Sequence, residues 1–211
     1  MIARILPATV RSAYALDDPP TATLFPEEAA LVATAAPKRR NEFTTVRHCA
    51  RQALATLDVP PAPILRGDRG APIWPSGIVG SLTHCAGYRA AAVARARDVT
   101  GVGIDAETHG PLPGGVLDLV SLPAEREHLA ELAQQHPDVF WERLLFSAKE
   151  SIYKVWFPRT GEWLGFEEAE VTFDPHGAGF SARVLRDGPF SSLAGRFLVV
   201  DGLVLTAIVL S

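Results

Sequence analysis

The chain has 211 residues, of which 47% are hydrophobic, 21% charged and 8% aromatic. This composition is typical of a globular protein and excludes a disordered chain, which would carry fewer apolar residues and more net charge. The net charge is −4, yet residues 1–104 hold 12 basic and 8 acidic side chains, whereas residues 105–211 hold 8 basic and 16 acidic ones. A basic half beside an acidic half suits a phosphorylated ligand and a metal ion, although two ordinary solvated surfaces would show the same asymmetry.

Export and membrane insertion are not expected from this sequence. The segment MIARILPATVRSAY lacks the apolar core of a signal peptide. The longest apolar stretch, residues 197–210, is too short to span a bilayer, and Asp201-Gly202 within it is typical of a β-hairpin turn. Cys49 and Cys85 are too few for a disulfide framework, so we expect buried thiols. We therefore expect a cytoplasmic protein.

Helical and extended patterns mix in the first half of the chain. Residues 26–36 and 38–57 are predicted helices, the second ending at a proline-rich segment. Residues 64–80 are predicted to form short strands and turns. Residues 81–95 are predicted to be a loop and then a buried helix or strand, which periodicity does not distinguish.

The second half continues this mixture. Residues 99–107 are a predicted strand, and residues 108–122 a predicted loop. Helices are predicted over 123–135 and 139–157, the latter ending before Pro158, and residues 163–211 are predicted strands that finish in the hairpin. Because strands and helices do not alternate regularly, the sequence predicts an α+β fold.

Two carboxylates mark the strand VTGVGIDAE. Asp105 and Glu107 lie two residues apart, so their side chains share one face of the strand. Like charges held together favour a cation between them, and Mg²⁺ prefers such oxygen ligands. A strand end that simply faces water would explain the same pattern.

The long predicted helix after residue 139 carries a polar stripe on an otherwise apolar surface. The stripe contains Arg143, Ser147, Glu150 and Lys154 at steps of four, three and four residues. A Glu–Lys pair four residues apart is also common on plain helix surfaces. On a core helix, however, the stripe needs a polar partner. A third carboxylate for the metal, together with Lys149 and Lys154 reaching phosphates, would supply one.

Arginines follow one face of the predicted helix 38–57, in the segment PKRRNEFTTVRHCAR. Guanidinium groups suit phosphate recognition because they form bidentate hydrogen bonds, although a solvated basic face is equally compatible. Nucleic acid is not an expected ligand, because the pI is about 5.9 and no aromatic residues alternate with the arginines. His84 lies in the small-residue segment SLTHCAG, where hydroxyl neighbours suit a phosphate-facing loop.

Taken in this order, these segments resemble the Sfp-type 4′-phosphopantetheinyl transferases. The match is closest to the actinobacterial branch, which serves fatty-acid, polyketide and siderophore synthases. It covers nearly the whole chain and is most specific in the combination of VGIDAE with KESxxK. The matching segments are KRRNEFTTVRHCAR (38–51), ILRGDRGAPIWP (64–75), GSLTHCAGY (80–88), VGIDAE (102–107), FSAKESIYKVWF (146–157) and WLGFEEAEVTF (163–173).

The resemblance implies a fold of two pseudo-symmetric α+β halves, residues 1–103 and 104–211, with coenzyme A in the cleft between them. It also implies the reaction. A serine hydroxyl of an apo acyl or peptidyl carrier protein attacks the coenzyme A phosphate that bears pantetheine. Phosphopantetheine is transferred, and 3′,5′-ADP leaves.

The family motifs also imply roles for individual residues. Mg²⁺, with Mn²⁺ as the alternative ion, would be held by Asp105, Glu107 and Glu150, and Lys154 would act with Asp105 and Glu150 in catalysis. Phosphoryl transfer is catalysed mostly by positioning and charge neutralisation, which these residue types supply. The coenzyme A contacts implied by position in the motifs are Arg39, Arg40, Arg47, Arg66, Thr83, His84, Lys149 and Lys154.

The sequence does not decide which group is the general base, and it departs from the family pattern at two positions. Glu150 is the favoured base, but a bound cation lowers a carboxylate's pKa, so a water relay at the metal is the alternative. Many relatives have a lysine in a Gly-Lys-Pro turn where this chain has Ala71, so Arg66 or Arg69 would replace it. Ala106 offers no ligand between the two metal carboxylates, so a water must fill that position.

Two other functions fit the same residues. A Mg²⁺-dependent nucleotide phosphohydrolase would use the same carboxylates with water as the nucleophile. A non-catalytic coenzyme A-binding or carrier-binding module would keep the grip on the ligand without the chemistry. We expect carrier proteins or carrier domains of fatty-acid, polyketide and nonribosomal peptide synthases as partners, no nucleic acid or membrane partner, and a monomer.

Overall fold

The computed structural model describes all 211 residues and contains five α-helices and eight strands. The helices are α1 (Pro26–Ala30), α2 (Pro37–Ala55), α3 (Val116–Val120), α4 (Pro123–Gln135) and α5 (Trp141–Thr160). The strands are β1 (Arg11–Ala15), β2 (Ile78–Cys85), β3 (Tyr88–Arg95), β4 (Gly101–Thr108), β5 (Ala169–Asp174), β6 (Gly179–Val184), β7 (Ser192–Val200) and β8 (Leu203–Leu210). The α+β class is thereby confirmed. No helix has both the length and the apolar character needed to cross a bilayer.

The first half of the chain forms a three-stranded antiparallel sheet in the order β1-β3-β2, with α2 packed on it. Alanine and valine side chains of β3 are fully buried on both faces, which lets α2 approach the sheet closely. The segment 81–95 was predicted as a loop followed by a helix or strand. It is instead the end of β2, a tight turn and β3, so the loop prediction for residues 81–85 was wrong. Gly87 forms its turn with a positive φ of 74°, a conformation that glycine adopts without strain.

The second half forms a five-stranded antiparallel sheet in the order β4-β8-β7-β6-β5. The long helix α5 packs on β4 and β8, and its apolar face belongs to a core cluster of 20 buried residues. The hairpin between β7 and β8 turns at Asp201 and Gly202, both with positive φ, as predicted for this dipeptide. The sequence-based division lies between residues 103 and 104, whereas the first strand of this sheet begins at Gly101.

The two sheets meet where β2 runs beside β4, and side-chain hydroxyls make the hydrogen bonds across this joint. The backbone N–H of Ile104 donates to the Ser81 hydroxyl at 3.1 Å, and that of Ala106 donates to the Thr83 hydroxyl at 3.0 Å. Thr83 in turn donates to Oδ1 of Asp105 at 3.2 Å. The joint therefore places the acidic strand of one half directly against the SLTH segment of the other.

Each half also contains one buried glutamate in an equivalent setting. Glu28 accepts hydrogen bonds from the backbone N–H of Phe25 and Ile64 and pairs with Arg51 at 2.9 Å. Such a side chain satisfies the free N–H groups at a helix start and ties α1 to α2.

Glu125 repeats this arrangement in the second half. It accepts from the backbone N–H of Leu122 and Val171 and pairs with Lys149 at 2.7 Å, so it ties α4 to α5. Both glutamates lie two residues after a helix-starting proline and are 0% and 1% exposed. These matching clusters are a residue-level sign of the similarity between the halves.

Several predicted elements need correction. Helix α1 ends at Ala30, whereas the prediction extended it to residue 36. Residues 31–34 form a turn instead. Helix α5 continues through Pro158 to Thr160, so the proline does not end it. The predicted loop 108–122 contains the short helix α3. Both cysteines are free, and Cys49 is buried, but Cys85 is only half-buried.

Candidate active site

A charged cleft of about 380 Å³ lies between the two halves. Residues of α2, β2 and the loop before β2 form one wall, and residues of β4 and α5 form the other. Its charged and titratable side chains are Arg39, Arg47, Arg66, His84, Asp105, Glu107, Glu150 and Lys154. The cleft therefore brings together eight side chains that the sequence analysis singled out.

The acidic wall comes from β4 and α5. Asp105 and Glu107 point to the α5 face of β4, as the strand pattern predicted, while Ile104 and Ala106 are fully buried on the other face. Burial and the neighbouring Asp105 raise the pKa of both Glu107 and Glu150. A cation between these carboxylates would oppose both effects.

Lys154 neutralises one carboxylate of this acidic wall, Asp105. Lys154 donates to Oδ1 of Asp105 at 2.7 Å and to the carbonyl of Ile104 at 3.1 Å. Oδ2 of Asp105 is buried and has no hydrogen-bond partner. Buried carboxylate oxygens normally have partners, so this atom is available to a further ligand.

The cleft carboxylates suit a divalent metal by their chemistry, but they do not converge on one point. No three histidine, cysteine, aspartate or glutamate side chains converge closely enough to form a metal-binding group in this structure. Hard carboxylate oxygens, including the unpartnered Oδ2 of Asp105, are nevertheless the ligands that Mg²⁺ prefers, usually with several waters completing its shell. Glu107 and Glu150 line the same cleft as that oxygen.

The basic wall comes from α2 and the segments it packs against. Arg39 donates to Nε2 of His84 at 2.5 Å, and burial together with this guanidinium lowers the pKa of His84. Arg47 lies over the ring of Phe43 and donates through Nε to the carbonyl of Ile64, and burial lowers its pKa to about 10. The remaining guanidinium nitrogens of Arg47 are available to an anion in the cleft.

Family comparisons match both halves of the chain. Residues 27–94 match the 4′-phosphopantetheinyl transferase N-terminal domain, and residues 101–207 match the 4′-phosphopantetheinyl transferase superfamily. The chain is 56% identical to the 4′-phosphopantetheinyl transferase Svp of Streptomyces mobaraensis over 99% of this chain and 88% of the relative. It is also 56% identical to PptT of Mycobacterium tuberculosis over 100% and 98% of the two chains, and 50% identical to Npt of Nocardia iowensis over 99% of each.

The chain belongs to the 4′-phosphopantetheinyl transferase superfamily. The resemblance to the actinobacterial branch of Sfp-type transferases is thereby confirmed, as is the two-half fold. Enzymes of this family use coenzyme A as a substrate, generally with a divalent metal. The charged cleft is thus the candidate active site of a phosphopantetheinyl transferase.

Two residues expected to contact coenzyme A lie elsewhere in this transferase. Lys149 is 3% exposed, pairs with Glu125 and donates to the carbonyl of Phe166 at 2.7 Å, so it points away from the cleft. Arg40 is exposed, does not line the cleft and donates to the carbonyl of Ala33. Position in the family motifs assigned both residues to coenzyme A, but each side chain lies on a face of its helix that is turned away from the cleft.

The loop before β2, which contains Ala71, brings one of its two arginines to the cleft. Arg66 lines the cleft, and a Cβ on Gly70 would lie 3.1 Å from its guanidinium. Gly70 also has a φ of +82°, so glycine leaves room for Arg66 and permits the turn. Arg69 instead lies over the ring of Trp163 at 5.4 Å, so only Arg66 reaches the cleft.

Sequence reasoning missed a basic contact to Glu107. Arg143 donates to Oε2 of Glu107 at 3.2 Å and also to the carbonyls of Gly110 and Pro111. The polar stripe on α5 contained Arg143, but its spacing gave no partner. This guanidinium holds the segment that follows β4 against α5.

Two further cavities, with a less charged lining, adjoin the charged cleft. The larger, of about 660 Å³, lies between β2 and α5, and the smaller, of about 220 Å³, lies between α5 and the segment after it. Tyr153 and Glu150 line both cavities. The Tyr153 hydroxyl is buried without a partner, so it is free to bond a polar group of a bound ligand.

Proposed function

We propose that this phosphopantetheinyl transferase binds coenzyme A across the cleft, with its phosphates between the basic and acidic walls. The hydroxyl of a carrier-protein serine then attacks the phosphate that bears pantetheine. The P–O bond to the ADP portion breaks, phosphopantetheine stays on the serine oxygen, and 3′,5′-ADP leaves. The observation that carries this proposal is the meeting of the unpartnered Asp105 carboxylate oxygen and Lys154 with the arginine-rich wall.

The basic wall is proposed to hold the 3′-phosphate and the adenosine side of coenzyme A. Arg39, Arg47 and Arg66 line the cleft and would neutralise phosphate charge. His84 accepts a hydrogen bond from Arg39 through Nε2 and would approach the same phosphate. Thr83 is buried, and its hydroxyl is already bonded to Asp105 and Ala106, so we propose that it reaches coenzyme A only indirectly, by fixing Asp105.

The acidic wall is proposed to hold Mg²⁺ through Asp105, Glu107 and Glu150. When bound, the ion would neutralise the charge that develops on the departing 3′,5′-ADP. Lys154 already lies against Asp105 and would bond the phosphate oxygens from the α5 side. We propose residues 1–103 as the half that grips coenzyme A and residues 104–211 as the half that holds the metal.

Glu150 is proposed as the group that takes the serine proton. It lines the cleft at its junction with both neighbouring cavities. Because a bound cation would lower the pKa of this carboxylate, a water relay at the metal is the alternative base. The uncharged pantetheine arm would lie along the apolar wall at Tyr153, beyond the phosphates.

Carrier proteins or carrier domains of acyl and peptidyl synthases are the proposed acceptors. The relatives include enterobactin synthase component D of Salmonella typhi, which is 34% identical over 64% of this chain. Because one chain supplies both walls of the cleft, we propose that the monomer is the active unit.

Product analysis tests this proposal. The protein is incubated with coenzyme A, Mg²⁺ and an apo acyl or peptidyl carrier protein, and nucleotides are separated by chromatography with and without EDTA. The proposal predicts 3′,5′-ADP in amounts equal to the carrier modified, and none with EDTA. Nucleotide or phosphate release without carrier would indicate a phosphohydrolase instead, and coenzyme A binding without turnover on several carriers would indicate a binding module.

A further inference from the structure

Three buried hydroxyls form a cluster between α5 and β8. The side-chain oxygens of Ser147 and Ser151 lie 2.9 and 2.6 Å from Oγ1 of Thr206, which itself donates to the carbonyl of Ser147 at 2.9 Å. All three residues are 0% exposed. Since the Thr206 hydroxyl donates once and accepts twice, its hydrogen-bonding capacity is fully used.

This cluster is polar in an otherwise apolar interface. Leu144, Ala148, Ile152 and Val155 of α5 belong to the main core cluster, as does Ile208 of β8. Apolar contacts are not directional, so they fix the position of a helix along a strand only through shape. Hydrogen bonds depend on distance and angle, so the hydroxyls specify that position more narrowly.

The cluster lies beside the proposed catalytic groups. Thr206 is the direct partner of Asp105 in the β4–β8 ladder, and paired residues present their side chains on the same face of a sheet. Ser151 directly follows Glu150 on α5. A Cβ on Gly103 would lie only 2.2 Å from the carbonyl of Ser151, so α5 rests directly on β4 at this point.

We propose that Thr206 is a positioning residue for the transfer reaction. Through Ser147 and Ser151 it fixes the rotation of α5 about its axis and its position along the sheet. Glu150 and Lys154 of the helix are thereby held beside Asp105 of β4. It touches neither coenzyme A nor the metal. This role rests on the proposed function of the charged cleft.

The test removes all three hydroxyls together, in the variant Ser147→Ala/Ser151→Ala/Thr206→Val. Because no polar partner is then left unsatisfied, the melting temperature is expected to stay close to that of the wild type. The kcat for transfer is expected to fall by about 10- to 100-fold, since small misplacements of reacting groups cost this much. The affinity for 3′,5′-ADP, measured by calorimetry, is expected to stay unchanged because the basic wall is intact.

Two single variants complete the design. Thr206→Ser keeps the hydroxyl and is expected to restore most of the wild-type kcat, whereas Thr206→Val is expected to lower kcat with little change in KM for coenzyme A. If the triple variant does not fold, the comparison of Thr206→Ser with Thr206→Val decides the question.

A triple variant with wild-type kcat overturns the proposal, and so does a loss of kcat that is matched by equal losses of 3′,5′-ADP affinity and melting temperature. A wild-type protein without transfer would instead overturn the proposed function itself.

Discussion

Lys154 donates to one carboxylate oxygen of Asp105 at 2.7 Å, while the other oxygen of Asp105 is buried without a partner. A single lysine therefore neutralises the carboxylate across the gap between α5 and β4 and leaves one ligand position open. This arrangement suits an acidic side chain that binds a cation and lies beside a phosphate-binding lysine. It also places the Lys154 ammonium directly beside the proposed metal site.

Lys154→Gln is expected to lower kcat for transfer by about 100-fold, because removing one positioned charge at a reaction centre has effects of that order. The glutamine amide nearly keeps the side-chain length and can still donate a hydrogen bond to Asp105, so the fold should persist. Steady-state kinetics with an apo carrier protein measure the change. The exposed Lys38→Gln is the matched control, and equal activity in the two variants would contradict the role of Lys154.

Arg47→Ala is expected to raise KM for coenzyme A more than KM for 3′-dephospho-coenzyme A. A buried guanidinium contributes more to phosphate binding than an exposed one, since less solvent screens it. Comparing the two substrates in the same assay isolates the 3′-phosphate. Arg97→Ala, which removes an exposed guanidinium, serves as the control. Equal effects of Arg47→Ala on both substrates would mean that Arg47 does not contact the 3′-phosphate.

Tyr153→Phe is expected to raise KM for coenzyme A by about two- to tenfold, corresponding to one hydrogen bond of about 0.5–1.5 kcal/mol. Inhibition by 3′,5′-ADP should not change, because that nucleotide lacks the pantetheine arm. Tyr153→Ala should raise KM further by removing the apolar wall as well. Weaker inhibition by 3′,5′-ADP in the Phe variant would place Tyr153 at the nucleotide instead.

Lys149→Met is expected to destabilise the protein by about 3–5 kcal/mol, because it leaves the buried Glu125 carboxylate without its cation. Denaturant unfolding measures this loss. The double variant Glu125→Gln/Lys149→Met should regain part of it, since no unpaired charge then stays buried. A stable Lys149→Met variant with a raised KM for coenzyme A would show that Lys149 contacts the phosphates instead.

The strand pattern was sufficient to place the two carboxylates of β4 on one face. Alternation along VGIDAE placed Asp105 and Glu107 on one face because a strand has a period of two residues. Helix periodicity likewise predicted the apolar face of α5 and the bounds of α4. These features depend on local geometry, which a sequence expresses directly.

Contacts between distant segments could not be predicted in this way. The partner of Lys149 is Glu125, 24 residues earlier and on another helix, and nothing in the KES segment indicates it. The Glu107 partner Arg143 and the Thr206 cluster depend in the same way on how α5 packs against β4 and β8. The prediction that α5 ends before Pro158 was wrong. The helix contains this proline and continues for two residues beyond it.

The most direct test of the account is the intact mass of an apo carrier protein after incubation with coenzyme A, Mg²⁺ and this protein. Wild-type protein should add one phosphopantetheine group to the carrier serine, and the exposed-site control Asp118→Asn should do the same. Asp105→Asn, which keeps the shape of the side chain but removes its charge, should leave the carrier mass unchanged while remaining folded. Modification at the wild-type rate by the folded Asp105→Asn variant would contradict the assignment of the charged cleft as the active site.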